Sequence, residues 1–231
     1  MRHPSLRHIA LASCLAGLVV IPAQGQPSAQ LQPTAERIQL ANGEVLRLVE
    51  LLQLKPGMKV ADVGAGFGAW TLVFSRWTGA GGHVYATDVA EEALAVLRAL
   101  VARERLSNVT VIVGAAASTN LPAACCDVIL VRNVYKLLPQ PDEMIRSLAA
   151  SLKPGGRLAV ADFPPRPNPR APLEVPANRG PSGILPEIVE REVGALLRHV
   201  ITVPDWSPEG VPPSVPSGIL PPFVAIFEKA R

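Results

Sequence analysis

Cysteine and histidine are scarce in this chain of 231 residues, which has three cysteines and four histidines. Cys125 and Cys126 are adjacent, and neighbouring cysteines do not close a loop that would staple a fold. The sequence contains neither a Cys-x-x-Cys pair nor a group of histidines, cysteines and carboxylates with the spacing of metal ligands. It therefore predicts no disulfide framework and no metal site.

An excess of charge of one sign is also missing. The chain has 22 Lys and Arg against 19 Asp and Glu, a formal net charge of +3. Arg2 and Arg7 supply two of these three charges, in an N-terminal stretch without acidic residues. A nucleic-acid-binding protein normally has a much stronger basic excess, so no nucleic-acid partner is predicted. With 48% hydrophobic and 18% charged residues, the chain is expected to fold rather than stay disordered.

No apolar run is long enough for a membrane span. The most apolar stretch, residues 9–21, has 13 uncharged residues, whereas a transmembrane helix needs about 20. The two arginines precede this stretch and small residues follow it, which is the pattern of a cleavable signal peptide. Residues 1–25 are therefore predicted to be a signal peptide, cleaved near Gly25, that leads to a periplasmic or secreted protein without a stable membrane anchor. The alternatives are lipid attachment at Cys14 and an apolar tail on a cytoplasmic protein.

The rest of the chain is predicted to be a linker, residues 26–35, and one domain, residues 36–231. Apolar residues with helical spacing predict an amphipathic helix over residues 36–53. Beyond it, short apolar runs alternate with helical patterns, and strands separated by helices of this length form a parallel sheet covered on both faces. The predicted strands are 58–63, 83–88, 109–113, 127–131 and 157–162, and the predicted helices between them are 67–77, 90–106 and 141–152.

Proline is abundant, with 24 residues, where average usage of about 5% would give roughly half that number. Two proline-rich stretches, residues 163–181 and 204–221, have two interpretations: a cover over the sheet edge or a lid over a substrate pocket. Around them the sequence predicts a further helix, residues 186–197, and two final strands, residues 198–203 and 222–228.

The most informative segment is residues 60–68, where a hydrophobic strand runs into a glycine-rich turn that opens a helix. Bare backbone in such a turn approaches a ligand closely, and the helix N-terminus presents N–H donors. Two interpretations compete. The spacing of the glycines, with Asp88 about twenty residues further on, satisfies the dinucleotide fingerprint. Asp62 before the turn, and the full helix before the strand, instead suit a cofactor with an ammonium or sulfonium charge.

From about residue 38 to its end the sequence resembles the class I S-adenosylmethionine-dependent methyltransferases. Residues 62–68 (DVGAGFG) are similar to the first motif of that family, D-x-G-x-G-x-G; residues 85–88 (YATD) to the end of its second strand; and residues 152–158 (LKPGGRL) to its turn into the fifth strand. Residues 133–138 (NVYKLL) resemble the V-Y-H-H-L-like stretch of a bacterial branch that is often exported. The resemblance implies an α/β, Rossmann-like fold: a doubly wound, seven-stranded, mostly parallel sheet with a C-terminal antiparallel strand pair.

The resemblance also implies a site for S-adenosylmethionine as cofactor. Asp62 is expected to bind its methionyl end, the loop glycines to wrap it, and Asp88 to accept both ribose hydroxyls, alone or while also capping the next helix. Where the family often has Gly-Asp-Ala after the third strand, this chain has Gly-Ala-Ala, so the backbone there would line the adenine pocket without an acid. The implied cofactor-binding residues are Asp62, Gly64, Ala65, Gly66, Gly68, Asp88, Val89, Ala115, Ala116 and Asn133.

The end of the fourth strand is where a ligand meets a doubly wound sheet, so Asn133 and Tyr135 are the predicted catalytic residues. Asn133 would orient an acceptor, and Tyr135 would either pack on it or belong to the core. Lys136 stands where the branch often has histidine, so no histidine base is expected. The predicted function is methyl transfer to an unidentified small-molecule acceptor. The alternatives are an exported S-adenosylmethionine-binding domain without transfer and a nicotinamide-dependent oxidoreductase.

Overall fold

The computed structural model describes residues 35–165, 179–180, 183–206 and 221–231. Five α-helices and seven strands follow one another in these residues, with a short 3-10 helix, Tyr135–Leu137, after the fourth strand. The helices are α1 Ala35–Leu52, α2 Ala69–Thr78, α3 Glu91–Arg103, α4 Pro141–Ser151 and α5 Pro186–Gly194. The strands are β1 Lys59–Val63, β2 His83–Asp88, β3 Val109–Val113, β4 Cys126–Arg132, β5 Leu152–Asp162, β6 Arg198–Val203 and β7 Phe223–Glu228.

The seven strands form one sheet in the order β3-β2-β1-β4-β5-β7-β6. Strands β1 to β5 pair in parallel, and β7 runs antiparallel between β5 and β6. The connections change direction between β1 and β4, so the carboxyl ends of these strands border a crevice, the usual ligand position in such a sheet. The predicted α/β fold, with its C-terminal antiparallel pair, is confirmed.

Side chains alternate along the strands between two hydrophobic cores, one on each face of the sheet. In β5, Leu158 and Val160 belong to the core that includes α4 and α5, whereas Ala159 and Ala161 belong to the core that includes α1 and α2. Because both faces are covered, the central strands are apolar on both sides. This explains why they stand in the sequence as short continuous apolar runs.

The predicted helices and strands are present, with shifts at two ends that have local causes. Helix α2 begins at Ala69 rather than at residue 67, because Gly66 and Gly68 have positive φ values of 54° and 85° that keep the turn non-helical. Strand β5 begins well before the predicted residue 157, because Leu152 already pairs with Cys126 of β4. Elsewhere the ends agree to within three residues. The 3-10 helix after β4 is absent from the prediction.

Some predictions concern segments outside the described residues. These are the signal peptide and linker, up to residue 34, and most of the two proline-rich stretches, residues 166–178 and 207–220. They stay predictions. Within the described part of the chain, no helix has the length and apolar character of a membrane span. The same part contains no group of three or more His, Cys, Asp or Glu side chains placed to hold a metal ion.

Candidate functional site

The glycine loop after β1, residues 64–68, is tied to β2 by its backbone. The N–H groups of Gly64 and Ala65 both donate to the carbonyl of Thr87, at 2.8 and 3.0 Å. Gly64 has a φ of 72°, and a Cβ at this position would lie 2.3 Å from Cγ2 of Val134. Glycine is required there, because the loop brings the carboxyl end of β1 against the residues that follow β4.

Gly68, at the end of the same loop, has a structural role. It is buried, with a φ of 85°, and a Cβ there would lie 2.5 Å from Cδ2 of Leu100 in α3. The absence of a side chain lets α2 start directly against α3. Gly68 therefore shapes the loop, and the structure does not place it on the wall of a cavity.

Asp88, at the end of β2, holds the loop from the other side. Its Oδ2 accepts a hydrogen bond from the N–H of Gly66 at 2.8 Å, and its Oδ1 accepts one from the N–H of Ala90 at 3.0 Å. The second bond helps to start α3, and the first joins that helix start to the loop. Asp88 is half-buried, and each carboxylate oxygen has a second lone pair for a ligand.

A cavity of about 410 Å³ lies between the loop, the end of β4 and helices α1 and α2. Small-molecule sites commonly have volumes of about 300–1,000 Å³. Five predicted site residues line it: Asp62, Gly64, Ala65, Gly66 and Asn133. The lining residues that the sequence prediction does not include are Ala41, Phe67, Ala69, Trp70, Arg132 and Val134. The predicted cofactor loop and the predicted acceptor residue Asn133 therefore share one cavity.

Val89, predicted to bind the cofactor, and Ala115 and Ala116, predicted to line the adenine pocket, lie outside this cavity, on an exposed surface beside Asp88 that is called the shelf below. Val89 is 64% exposed, and Ala115 and Ala116 are exposed as well. The N–H of Gly114 donates to the carbonyl of Asp88 at 2.9 Å. The shelf thus continues from Asp88 along the carboxyl edge of the sheet.

Asp62 is the buried acid of the cavity. It is 3% exposed and accepts a hydrogen bond from the hydroxyl of Thr71 at 2.7 Å. Burial raises the pKa of Asp62 from 3.8 to about 6, and the charge of Asp88 adds to the rise, while Thr71 and the charge of Arg132 oppose it. A desolvated carboxylate is stabilised by a neighbouring cation. The cavity therefore suits a positively charged ligand.

The N–H groups of the loop bear on the choice between the two cofactor classes. Those of residues 64, 65, 66 and 68 all donate to protein oxygens: three to main-chain carbonyls and one to the Asp88 carboxylate. A dinucleotide site holds its pyrophosphate with free N–H groups at this turn. Two carboxylates, Asp62 and Asp88, also border the turn. The geometry therefore disfavours a pyrophosphate and favours a cationic cofactor.

Arg132, at the end of β4, links helix α1 to the cavity. Its Nη2 and Nε donate to the two carboxylate oxygens of Glu44 at 3.0 and 3.1 Å, and Glu44 is 2% exposed. The guanidinium carbon lies 5.8 Å from the centre of the Trp70 ring. Sequence reasoning misses this pair, because Glu44 is one polar residue on a long helix and its partner follows 88 residues later.

Asn133 stands at the β4 end of the cavity in a fixed conformation. Its φ is 59°, in the left-handed region that asparagine enters more readily than most residues. Its N–H donates to the carbonyl of Ala161 at 2.8 Å, and its carbonyl accepts from Nζ of Lys136 at 2.7 Å. Nζ of Lys136 also donates to Oδ1 of Asp162 at 3.0 Å, and both side chains are buried. A buried ion pair thus holds the backbone of a predicted site residue.

Tyr135 does not line the cavity. It is fully buried, and its hydroxyl donates to Oε2 of Glu192 in α5 at 2.9 Å. Arg179 donates to the same carboxylate, and its guanidinium carbon lies 5.4 Å from the centre of the tyrosine ring. Burial raises the pKa of the Tyr135 hydroxyl, and the charge of Glu192 adds to the rise. Core packing, one of the two interpretations open from the sequence, describes this position, because a fully buried ring offers no surface to an acceptor.

Known protein sequences are similar to this chain in its central part. A family profile described as a methyltransferase domain matches residues 60–156. Nocamycin O-methyltransferase from Saccharothrix syringae is 29% identical over 173 residues, which are 73% of this chain and 60% of that protein. The ubiquinone/menaquinone biosynthesis C-methyltransferase UbiE from Shewanella oneidensis is 34% identical over 117 residues, 50% of this chain and 46% of that protein. The chain therefore spans about half of the length of these curated relatives.

Solved structures share the fold. A SAM-dependent methyltransferase from Aquifex aeolicus has a TM-score of 0.65 at 24% identity and covers 86% of this chain and 95% of its own. The 4+2 cyclase SpnF has a TM-score of 0.66 at 19% identity and covers 84% of this chain and 80% of its own. Because the fold also occurs in a cyclase, its chemistry has to be argued from the site.

Proposed function

We propose that this chain is a class I S-adenosylmethionine-dependent methyltransferase and that it transfers a methyl group from S-adenosylmethionine to a small-molecule acceptor. The observation that supports the donor is the cavity itself, where the buried carboxylate of Asp62 meets a glycine loop whose N–H groups at residues 64, 65, 66 and 68 are already bonded. The donor of this family has an ammonium and a sulfonium group. Both are cations that such a carboxylate stabilises.

The two carboxylates beside the loop, Asp62 and Asp88, hold different parts of the donor. When bound, S-adenosylmethionine supplies a methyl group on a positively charged sulfur that is already activated for displacement, so the protein's contribution is orientation and exclusion of water. Asp62 faces the methionyl end, with one oxygen held by Thr71. Asp88 takes the ribose hydroxyls through the lone pairs that its bonds to Gly66 and Ala90 leave available.

The exposed shelf beside Asp88 is the place for the adenine ring. Val89 presents apolar surface there, with 64% of the residue exposed, and covering such a side chain with a flat ring is favourable. The N–H and the carbonyl of Ala115 are already bonded to Ser118, at 2.7 and 3.3 Å, so the backbone groups offered to the ring are those of Ala116. Neither alanine has a side-chain acceptor for the adenine amine. The ring is therefore held by contact and backbone bonds.

A small-molecule acceptor is supported by the walls of the cavity and by the relatives. Phe67, Trp70 and Val134 supply apolar walls, and Asn133 supplies an amide whose backbone is fixed from both sides. The names of the two relatives above refer to small molecules, nocamycin and ubiquinone or menaquinone. Among the described lining residues the ionisable ones are Asp62 and Arg132, so no histidine base stands at the cavity. Catalysis rests on orientation of the activated donor, and a base is required only where the acceptor atom still holds a proton.

Calorimetric titration of the purified chain with S-adenosylmethionine, and separately with NAD, tests the donor. We expect S-adenosylmethionine to bind and NAD not to bind. Asp88→Ala is expected to weaken donor binding by about tenfold to 100-fold, because hydrogen bonds to charged groups contribute about 1.5–3 kcal/mol. Glu91→Ala, which removes the same charge from an exposed side chain at the start of α3, is the matched control and is expected to bind normally. Binding of NAD alone, in a sample with native circular dichroism, would refute the proposal.

A second candidate is a domain that binds S-adenosylmethionine without transferring its methyl group. The observation in its favour is the Gly-Ala-Ala segment after β3, which lacks the acid common in the family. Incubation with S-adenosylmethionine and a panel of phenols, amines and quinols separates the two functions. Formation of S-adenosylhomocysteine with any acceptor supports transfer, and donor binding without turnover on the whole panel supports the second candidate.

We further propose that the protein works outside the cytosol. The support is the leader pattern in residues 1–25: two arginines, an apolar stretch too short for a span, and small residues at the predicted cleavage point. Mass spectrometry of the full chain expressed in a bacterial host checks this prediction. The expected product, in the periplasmic fraction, begins near residue 26, whereas an uncleaved chain in the cytosol contradicts export.

A further inference from the structure

Thr71 makes a hydrogen bond unlike that of the other buried threonine of its helix. Thr71 and Thr78 are both buried in α2. The hydroxyl of Thr78 donates to the carbonyl of Phe74, four residues earlier, at 2.8 Å, which is the usual bond of a threonine inside a helix. The hydroxyl of Thr71 instead crosses to β1 and donates to Oδ2 of Asp62 at 2.7 Å. The hydroxyl of Thr71 therefore binds a side chain at the end of β1 and not a carbonyl of its own helix.

This bond holds the Asp62 carboxylate in one orientation at the wall of the cavity. Asp62 lines the cavity, and Thr71 does not. Among the described residues, no side chain other than Thr71 donates a hydrogen bond to this carboxylate. The carboxylate is thus held against α2 by Thr71, and the acceptor positions that the hydroxyl and the backbone N–H of Thr71 do not use are available to a ligand.

The charged groups around Asp62 come from three other elements. The charge of Asp88, at the end of β2, raises the pKa of Asp62, and the charge of Arg132, at the end of β4, lowers it. Arg132 is paired with Glu44 of α1 at 3.0 Å, so its charge is partly offset. Burial has the largest effect and raises the pKa, whereas the hydroxyl and the backbone N–H of Thr71 lower it. Thr71 thus favours the ionised form of Asp62 without adding a charge of its own.

We propose that Thr71 is a positioning residue for the donor: its hydroxyl holds one oxygen of the Asp62 carboxylate against α2, so that the charged group faces the cationic end of S-adenosylmethionine. The inference rests on the proposed function, since it takes that molecule as the ligand. It adds a residue that does not touch the ligand and that no sequence motif indicates. A threonine among the apolar residues of α2 resembles an ordinary packing residue.

The test compares Thr71→Val with Thr78→Val, since each change removes one buried hydroxyl from the same helix and keeps the side-chain shape. S-adenosylmethionine is titrated calorimetrically between about pH 5 and pH 9. In the unchanged protein, affinity is expected to fall as the pH drops through about 6, where Asp62 takes up a proton. In Thr71→Val we expect this midpoint to rise by about one pH unit, because the lost hydrogen bond corresponds to about one pKa unit, and affinity at pH 7 to fall about twofold as a result.

The controls separate positioning from stability. Thr78→Val is expected to keep the midpoint of the unchanged protein, and Thr71→Ser, which restores the hydroxyl, is expected to recover it. Titration of the ligand itself is common to all variants and cancels in the comparison. A structural role alone would lower the melting temperature of Thr71→Val and leave the midpoint in place. If Thr71→Val does not fold, Thr71→Ala is measured against the same criterion.

The outcomes distinguish this inference from the proposed function. An unmoved midpoint in Thr71→Val, an equal shift in Thr78→Val, or no recovery in Thr71→Ser overturns the positioning role while donor binding still stands. If the unchanged, folded protein does not bind S-adenosylmethionine at any pH, the proposed function fails and the positioning role fails with it.

Discussion

Asp62→Asn is expected to weaken S-adenosylmethionine binding by on the order of 100-fold, because removing one partner of a buried charge pair costs about 2–5 kcal/mol. Asparagine keeps the volume of the side chain. It also keeps a carbonyl oxygen for the hydroxyl of Thr71, whose bond to Asp62 is 2.7 Å long. The loss of affinity therefore reports the missing charge and not a rearranged loop.

The same substitution is expected to stabilise the ligand-free protein at neutral pH. Burial raises the pKa of Asp62 from 3.8 to about 6, and one pKa unit corresponds to about 1.4 kcal/mol, so ionised Asp62 costs the folded state about 3 kcal/mol. The sign follows from protonation. Below about pH 3 the carboxyl is mostly neutral in both the folded and the unfolded state and the cost vanishes, and it develops in full as the pH rises from there through about 6. Because asparagine does not ionise, the variant does not have this cost in its folded state.

Urea unfolding of both proteins at a series of pH values, with donor titration in the same buffers, measures both effects. The free energies of unfolding are expected to agree near pH 3 and to differ by up to about 3 kcal/mol at pH 8, with the variant more stable. Glu91→Gln removes a charge from an exposed side chain and is expected to change neither quantity. A variant that binds the donor normally, or that is less stable at every pH, contradicts this account of Asp62.

The strand ends and the glycine loop that form the site are predictable because each is indicated by a sequence pattern of a few neighbouring residues. The strand at residues 60–63 is apolar apart from Asp62, since both faces of the sheet are covered. The glycines after it are required by backbone angles that other residues rarely adopt. Asp88 follows from its place at the end of a strand next to that turn. Five of the predicted site residues consequently meet at one cavity.

The missed contacts join residues that are distant in sequence, where no periodic pattern relates the partners. Arg132 pairs with Glu44 across 88 residues, and Lys136 pairs with an acid 26 residues away. Tyr135 is a second position whose surroundings cannot be predicted from nearby sequence. An aromatic residue in a pocket and one in a core look alike in sequence, and what distinguishes them here is a carboxylate, Glu192, that follows 57 residues later.

Lys136→Met is expected to lower the free energy of unfolding by about 3–5 kcal/mol, because breaking a buried ion pair leaves one charge uncompensated. The side chains of Lys136 and Asp162 are 6% and 0% exposed, and Nζ lies 3.0 Å from Oδ1. The ammonium also donates to the carbonyl of Asn133 at 2.7 Å and lies 4.3 Å from the centre of the Phe163 ring. Methionine fills similar space without a charge or a donor, so the loss reports the interactions of the ammonium.

The pH dependence of this loss identifies its origin. Burial raises the pKa of Asp162, and the charge of Lys136 opposes that rise, so the pKa rises further in the variant. The loss is therefore expected to be smallest in acid, where Asp162 is neutral in both states, and to grow as the pH rises. The double variant Lys136→Met/Asp162→Asn removes the buried charge as well and is expected to recover most of the stability. Equal losses in the single and double variants would show that packing, not charge, is responsible.

The double variant also shows whether recovered stability is accompanied by unchanged ligand binding. The variant lacks the ammonium that holds the carbonyl of Asn133, whereas Asp62 and Asp88, the carboxylates proposed to face the donor, are unchanged. Donor affinity measured by calorimetry is therefore expected to stay within a few-fold of that of the unchanged protein. The left-handed backbone of Asn133, at a φ of 59°, loses one of its two holding bonds. Any acceptor found in the screen is then expected to show a raised KM, because Asn133 no longer orients it from a fixed position.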